Sequence, residues 1–279
     1  MRRGKPRQVL YFYYSSASFG SSAVKFFISE MPIANMPNPQ RILILSTRGT
    51  DAEPYVEAAN KLGLTAVLGT EDGAEPALRL CFAQRESALE VLQYALEYPL
   101  SAVLAVDEAA TPTCARAASM MGLRWHSPRA ADTCTDKTAL RQKLTVAGLF
   151  APAQVGVPDA REFGIAAILE AGKLRVLGAV ALGSAAPAEA PKKVFEAALL
   201  AVREIGLSQG PVSARIGVVH ENISILDAAA IIWADYGQQL TFRIPLVDDN
   251  ISLAEVVVRH ALGMDISRIH RSSRVRSGK

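Results

Sequence analysis

From residue 41 onward the chain alternates short apolar runs with longer amphipathic stretches. Residues 41–47 (RILILST) are apolar through their centre, the pattern of a parallel strand buried on both faces. Gly49 and Thr50 turn the chain. Asp51 is then placed to cap a helix with Glu53 and Pro54 in its first turn, Tyr55, Ala58, Ala59 and Leu62 on its inner face and a stop at Gly63. Strands follow at 64–68 and 77–82, a helix at 85–97, an apolar run at 102–106 and a helix at about 109–121, closed by Gly122. Strands alternating with helices at this spacing predict a parallel sheet with right-handed crossovers.

The second half reads differently. Thr135 and Asp136 cap a helix that turns Leu140, Leu144 and Ala147 inward and ends at Gly148. Residues 163–169 and 174–182 predict a hairpin about Glu170-Ala-Gly-Lys173, and 183–191 an Ala/Pro loop. An amphipathic helix covers 192–205 and stops at Gly206. A second hairpin joins 211–219 to 223–228 about His220-Glu221-Asn222, and a last helix runs over 252–262. This half is α+β and joins the first near residue 127.

Composition narrows the picture. Of the 279 residues, 50% are hydrophobic and 20% charged, an ordinary globular balance. The net charge of +3 is uneven: residues 1–40 hold five Lys/Arg against Glu30, and 266–279 hold five with no acid, leaving the body at about −6. A basic balance confined to two tails, with no basic face carrying aromatics, points away from nucleic acid. No apolar run reaches 18 residues, so no membrane span is expected. Residues 1–40 read as an extension ahead of the domain, whose start would be Met31 or Met36; being acid-poor and Ser-rich, they also allow a transit segment. Residues 266–279 read as a solvated tail. Cys81, Cys114 and Cys134 lie far apart with no CxxC pair, which suits a reducing cytoplasm and argues against a zinc site. Cys134 is either a reactive thiol or a packed one.

Parallel sheets bind ligands beyond the carboxyl ends of their strands, here Ser46–Gly49, Gly69–Glu71 and Asp107-Glu108. No G-x-G-x-x-G or P-loop lies at any of them, and serine-hydrolase and kinase motifs are missing. Asp107-Glu108 is either a metal or substrate pair or the polar end of a strand. His126 and His220 read as turn residues and His260 as a helix residue, without a cluster.

The most specific stretch runs from Trp125 to Pro152. It holds Ser127-Pro128, then Asp136-Lys137, Leu140-Arg141, Leu144, and Ala147-Gly148-Leu149 with Pro152. A lysine in a helix's first turn gains nothing from the helix dipole, so Lys137 points to function. This junction resembles the passage from the N-terminal domain into the ATP-binding part of ATP-grasp ligases, of the biotin-carboxylase and carbamoyl-phosphate-synthase type. The resemblance covers residues 41–265 and continues through Phe195 to Gly210-Pro211. It implies an α/β pre-ATP-grasp-like domain at 41–126 and an α+β ATP-grasp-like domain at 127–265, lacking most of the glycine-loop subdomain.

The resemblance also implies a site. Such ligases activate a carboxylate as an acyl phosphate with ATP and Mg2+. Lys137 matches their first lysine, so that Lys137 and its neighbour Asp136 are implied nucleotide-binding residues. Their second lysine and glycine-rich loop have no counterpart between Pro152 and Pro158, and Gly183-Ser184 is a feeble candidate. The family's metal-binding Glu falls at Arg215, and its Glu-x-Asn pair at Asp227 and Ala229. Asp227, with Asp235 or Asp248-Asp249, is therefore the candidate metal ligand. Arg215 is either a built-in cation in the metal's place or the cross-strand partner of Asp227.

Two functions follow from the resemblance: a non-catalytic relative binding a small carboxylate metabolite or a protein partner, a second copy of the chain included, or an active ATP-dependent ligase with an atypical nucleotide site. A plain α/β binding protein is the third. A four-stranded antiparallel sheet in the second half, flanked by the two helices at 135–147 and 192–205, separates the first two from the third.

Overall fold

The apolar run Arg41–Ser46 forms β1, the strand on which the first sheet is built, with Ile42 to Leu45 wholly buried. The structure is a computed structural model and describes residues 40–72, 77–150, 161–182, 190–219, 222–233 and 251–266. On one side of β1 lie β2 (Thr65–Thr70) and then β3 (Leu78–Arg79), and on the other β4 (Ala102–Ala105), giving the all-parallel order β3-β2-β1-β4. Helices α1 (Glu53–Lys61) and α2 (Ser87–Glu97) make crossovers, and α3 (Thr111–Met121) follows β4 and leads out of the sheet. Two local expectations fail. Asp51 caps nothing: it lies in a 3-10 turn, Gly49–Ala52, where its carboxylate takes a hydrogen bond from Arg48. The strand expected over 77–82 pairs only at Leu78–Arg79. Leu80 and Phe82 are buried by packing, which an apolar pattern does not distinguish from pairing.

The junction holds an extra helix, α4 (Pro128–Thr135), ahead of α5 (Lys137–Val146). Ser127 caps α4 through its Oγ, which accepts from Ala130 N at 3.3 Å, and Pro128 opens the first turn. Asp136 ends α4 and starts α5, its side chain accepting from Thr138 N and Ala139 N at 2.9 and 3.1 Å. The short helix was hidden because Asp136-Lys137 drew the reading to the start of α5.

Beyond it, β5 (Arg161–Glu170), β6 (Lys173–Leu182), β7 (Gly210–Val219) and β8 (Asn222–Ala229) form an antiparallel sheet ordered β6-β5-β7-β8. The β5–β6 turn is Ala171-Gly172, both at positive φ (48° and 75°), the backbone of a tight hairpin. Helix α6 (Lys192–Ile205) packs on this sheet with α5 beside it, both sharing its core. This antiparallel sheet, with α5 and α6 packed on it, favours the first two readings over the plain α/β one.

Strand β5 divides its side chains between two cores, as a period of two requires: Ala166 and Ile168 face the core shared with the parallel sheet, and Ile165, Ala167 and Leu169 face α6. The last helix, α7 (Leu253–Ala261), returns to the parallel sheet and packs on α1 and β4. Its Glu255 is buried between Lys61 (2.8 Å) and Arg259 (2.6 Å). Burial raises the pKa of that carboxyl, but the two cations outweigh burial and hold it below its ordinary value. Both sheets belong to one compact unit, Pro39–Lys279.

Candidate functional site

The order β3-β2-β1-β4 reverses direction between β1 and β4, and a parallel sheet opens its ligand crevice at such a point. Here the chain's own carboxylate fills it. Asp107 accepts hydrogen bonds from Thr47 N at 2.5 Å, Ser46 Oγ at 3.2 Å and Ala110 N at 2.9 Å. The donors that would greet an anionic ligand at the head of α3 are satisfied from within. Asp107 is thus the structural end of a strand.

Its neighbour Glu108 has a different task. Lys137 reaches out of the first turn of α5 and sets its ammonium 2.9 Å from Glu108 Oε2 and 3.0 Å from Asp227 Oδ1 on β8. The far oxygen of Glu108 accepts from the Trp233 indole N–H at 2.6 Å, and the Trp233 ring centroid lies 6.0 Å from the ammonium. Asp227 is fixed further by Ala228 N at 2.8 Å. Half-burial alone works against the charge of Lys137, but its two carboxylate partners prevail and raise its pKa above the ordinary lysine value. The ammonium therefore stays charged and is neutralised in place. Of the expected residues, Lys137 and Asp227 meet here. Glu108 and Trp233 complete the group and were not foreseen as its members. Glu108 stands at the carboxyl end of β4, where a ligand-facing residue belongs, whereas nothing near Trp233 marks it.

Arg215 lies on β7 with Asp227 as its backbone partner on β8, as the cross-strand reading requires. The side chains do not follow the register, because a bulge between Arg215 and Ile216 interrupts it and Lys137 holds Asp227. Arg215 instead points its Nε toward Glu162 on β5, at a loose 3.9 Å. Asp136 spends its carboxylate on the cap of α5. Cys134 is buried and its pKa is driven to about 12, chiefly by desolvation, so the reactive-thiol reading gives way to the packed one. Cys114 is buried too, and only Cys81 of the three free thiols is exposed.

His126, read as a turn residue, is buried where the halves join, donating from Nε2 to Pro211 O at 2.8 Å. His260 lies on α7, as expected, and is also buried. Asp235, Asp248, Asp249, His220 and Gly183-Ser184 lie outside the described residues, as does 151–160, where the glycine-loop deletion was read.

The described side chains do not fit Mg2+-ATP. No three His, Cys, Asp or Glu residues gather among them, a cation stands at the position matched to a metal-binding Glu, and the matched lysine is neutralised. A second feature lies beside the site: a cleft of about 300 Å³ between the loop after β3, α3 and the end of α4. Phe82 and Pro112 give it apolar walls, and Arg85, Arg116 and Asp132 give it charge. Arg116 is paired to Asp132 at 2.6 Å, while Arg85 has no ion-pair partner among the described residues.

Solved enzymes share the overall fold. An L-amino acid ligase from Bacillus licheniformis superposes with a TM-score of 0.67 at 18% identity, over 85% of this chain and 78% of that one. Phosphoribosylglycinamide synthetase from Anaerococcus prevotii gives 0.64 at 13% identity, over 84% and 78%.

The chain has an ATP-grasp fold.

A third ATP-grasp neighbour, N5-carboxyaminoimidazole synthase from Aspergillus clavatus solved with ADP and its ribonucleotide, gives a TM-score of 0.59 at 15% identity, over 83% of this chain and 78% of that one. No protein-family model matches the sequence, and the search of curated proteins found no match. No helix among the described residues is long and apolar enough to cross a membrane.

Proposed function

We propose that this chain is a non-catalytic ATP-grasp-fold protein that binds a small carboxylate metabolite or a protein partner in a cytoplasmic setting. One observation carries the reading. The Lys137 ammonium, which the resemblance assigns to nucleotide phosphate, is bound at 2.9 and 3.0 Å by Glu108 and Asp227. The electrostatic resources of the site are thus spent on each other.

The cleft beside Arg85 and Arg116 supports the carboxylate part of the proposal. Its volume is at the small end of metabolite sites, and the Arg85 guanidinium, unpaired among the described residues, suits a planar carboxylate. The partner part is supported by α2, whose outer face exposes Leu89 and Leu96 at 51% and 75%. We read that stripe as the contact for a second copy of this chain, so that Leu96→Asp converts a dimer to a monomer in sedimentation analysis. A chain that sediments as a monomer at all concentrations sinks the self-association reading.

The active-ligase alternative draws on the convergence of Lys137 and Asp227. Calorimetric titration with ATP, with and without Mg2+, decides between the two. Absence of binding at millimolar ATP supports the non-catalytic reading. Micromolar, Mg2+-dependent binding that Lys137→Ala abolishes overturns it in favour of the ligase.

A further inference from the structure

We propose that Glu108 is the specificity-determining residue of the Lys137 site: it bars phosphate-bearing ligands from the ammonium and must swing aside before any can bind. The inference rests on the reading above, in that it takes the half-buried Lys137 ammonium, neutralised by Glu108 and Asp227, as the place where an anionic ligand would be met.

A lysine ammonium has three hydrogens to donate, and two are taken by carboxylates. A phosphate seated on the third would face two negative charges a few ångströms away, in a half-buried setting where screening is incomplete. Of the two carboxylates, Asp227 is the less movable. It is short, rooted in β8, and bonded through the same oxygen to Ala228 N and Lys137. Glu108 sits in the connection between β4 and α3 on a longer side chain. Its backbone is anchored by neighbours, with Asp107 locked to Thr47 and Ala110, and the Glu108 carbonyl accepting from Thr111 N at 3.3 Å. Rotation about its side-chain bonds alone suffices to free Lys137. What holds the side chain closed is the Trp233 N–H at 2.6 Å on its other oxygen. Glu108 is therefore latched from both ends, and opening it breaks one bond to Lys137 and one to Trp233. Trp233 is one of only two tryptophans in the chain, so the latch carries its own optical reporter.

Glu108→Gln keeps the length of the side chain and an oxygen for Trp233 while removing the charge. With inorganic pyrophosphate as the probe and no metal present, this variant is expected to bind about tenfold or more tightly than the unmodified chain. The gain disappears when Lys137→Met is added. In a Trp125→Phe background, pyrophosphate shifts Trp233 emission in the Glu108-containing protein and leaves it nearly unchanged in Glu108→Gln. Trp233→Phe is the second variant: it removes the latch donor without touching either charge, and a gain of severalfold is expected. Pyrophosphate affinity that is the same in all these proteins, each shown folded by circular dichroism, overturns the proposal. So does a gain that survives Lys137→Met. Tight Mg2+-ATP binding by the unmodified chain would remove the non-catalytic reading, whereas a missing gain in both variants removes the gate alone.

Discussion

His126 stands at the end of the first half and Pro211 near the start of β7, yet the His126 Nε2–H donates to the Pro211 carbonyl at 2.8 Å across the buried seam of the molecule. The other ring nitrogen, Nδ1, is buried with no partner among the described residues, as are both nitrogens of His260. Desolvation lowers the pKa of His126 to about 4 despite the carbonyl contact, and lowers that of His260 in the same direction.

Stability is therefore expected to fall with acid in a defined window. The pKa of His126 rises from about 4 in the folded chain to about 6.5 on unfolding, and His260 shifts in the same direction. Above pH 6.5 neither the folded nor the unfolded form of His126 binds the proton, and its contribution is fully present. As pH drops from 6.5 toward 4 His126 takes up its proton in the unfolded chain only, so stability is lost by about 1.4 kcal/mol per pH unit. Across the window this sums to about 3 kcal/mol. Urea unfolding at pH 7.0, 6.0 and 5.0 checks it. A His126→Gln variant whose midpoint declines as steeply as that of the unmodified chain would count against His126 as a source.

Gly210 must remain glycine for the same seam to close. Its φ is +133°, where a side chain is strained, and a Cβ built there lies 2.7 Å from His126 Nε2. Neither neighbour has room to give, since the histidine is buried and bonded. Gly210→Ala is expected to cost about 3 kcal/mol in thermal or chemical unfolding. Gly49, where a Cβ meets nothing within 4 Å and φ is not positive, is the control and should cost little.

Local signals carried much of this architecture in the sequence. Helix α6 was legible to the residue, because its apolar face is regular and Gly206 stops it at φ +88°. The Ala171-Gly172 hairpin was legible from its turn residues. Strand β3 was overread because burial, not pairing, made its flanks apolar, and α4 was missed although Ser127-Pro128 is a standard helix opening. For the site the division is physical. Lys137 stood out because it opposes the helix dipole, a property of its own segment. Its partners come from far along the chain: Asp227 lies 90 positions away, and Trp233 lies 125 from the Glu108 it holds. No spacing rule encodes such contacts.

The three thiols offer a chemical test of the packing. Burial holds the Cys134 pKa near 12, and desolvation also pushes Cys114 well above its ordinary value. Going from 9 to 12 makes the Cys134 thiolate about a thousandfold scarcer than that of an ordinary thiol. Iodoacetamide at pH 8 should add one label to the folded chain, at Cys81, and three after denaturation. Peptide mass spectrometry that finds native Cys134 labelled as fast as Cys81 would contradict its placement.

Asp136 separates a structural role from a nucleotide-binding one. Its carboxylate accepts from Thr138 N and Ala139 N, so it serves as the N-cap of α5, and its backbone N–H closes α4 by donating to Asp132 O. Asp136→Ala is expected to destabilise the fold by about 1 kcal/mol, while Asp136→Ser or Asp136→Asn, which also cap, should restore most of that loss. If Asp136 instead held a cation or a nucleotide, Asn and Ser would not rescue, and the loss would grow in the presence of ligand rather than stand unchanged. Thermal unfolding of the four proteins, with and without 5 mM ATP and Mg2+ (about the concentration that would saturate a site of micromolar to millimolar affinity), reads both predictions at once. Equal shifts with and without nucleotide, together with rescue by Asn, fix Asp136 as the pivot that turns α4 into α5 and so aims Lys137 at Asp227.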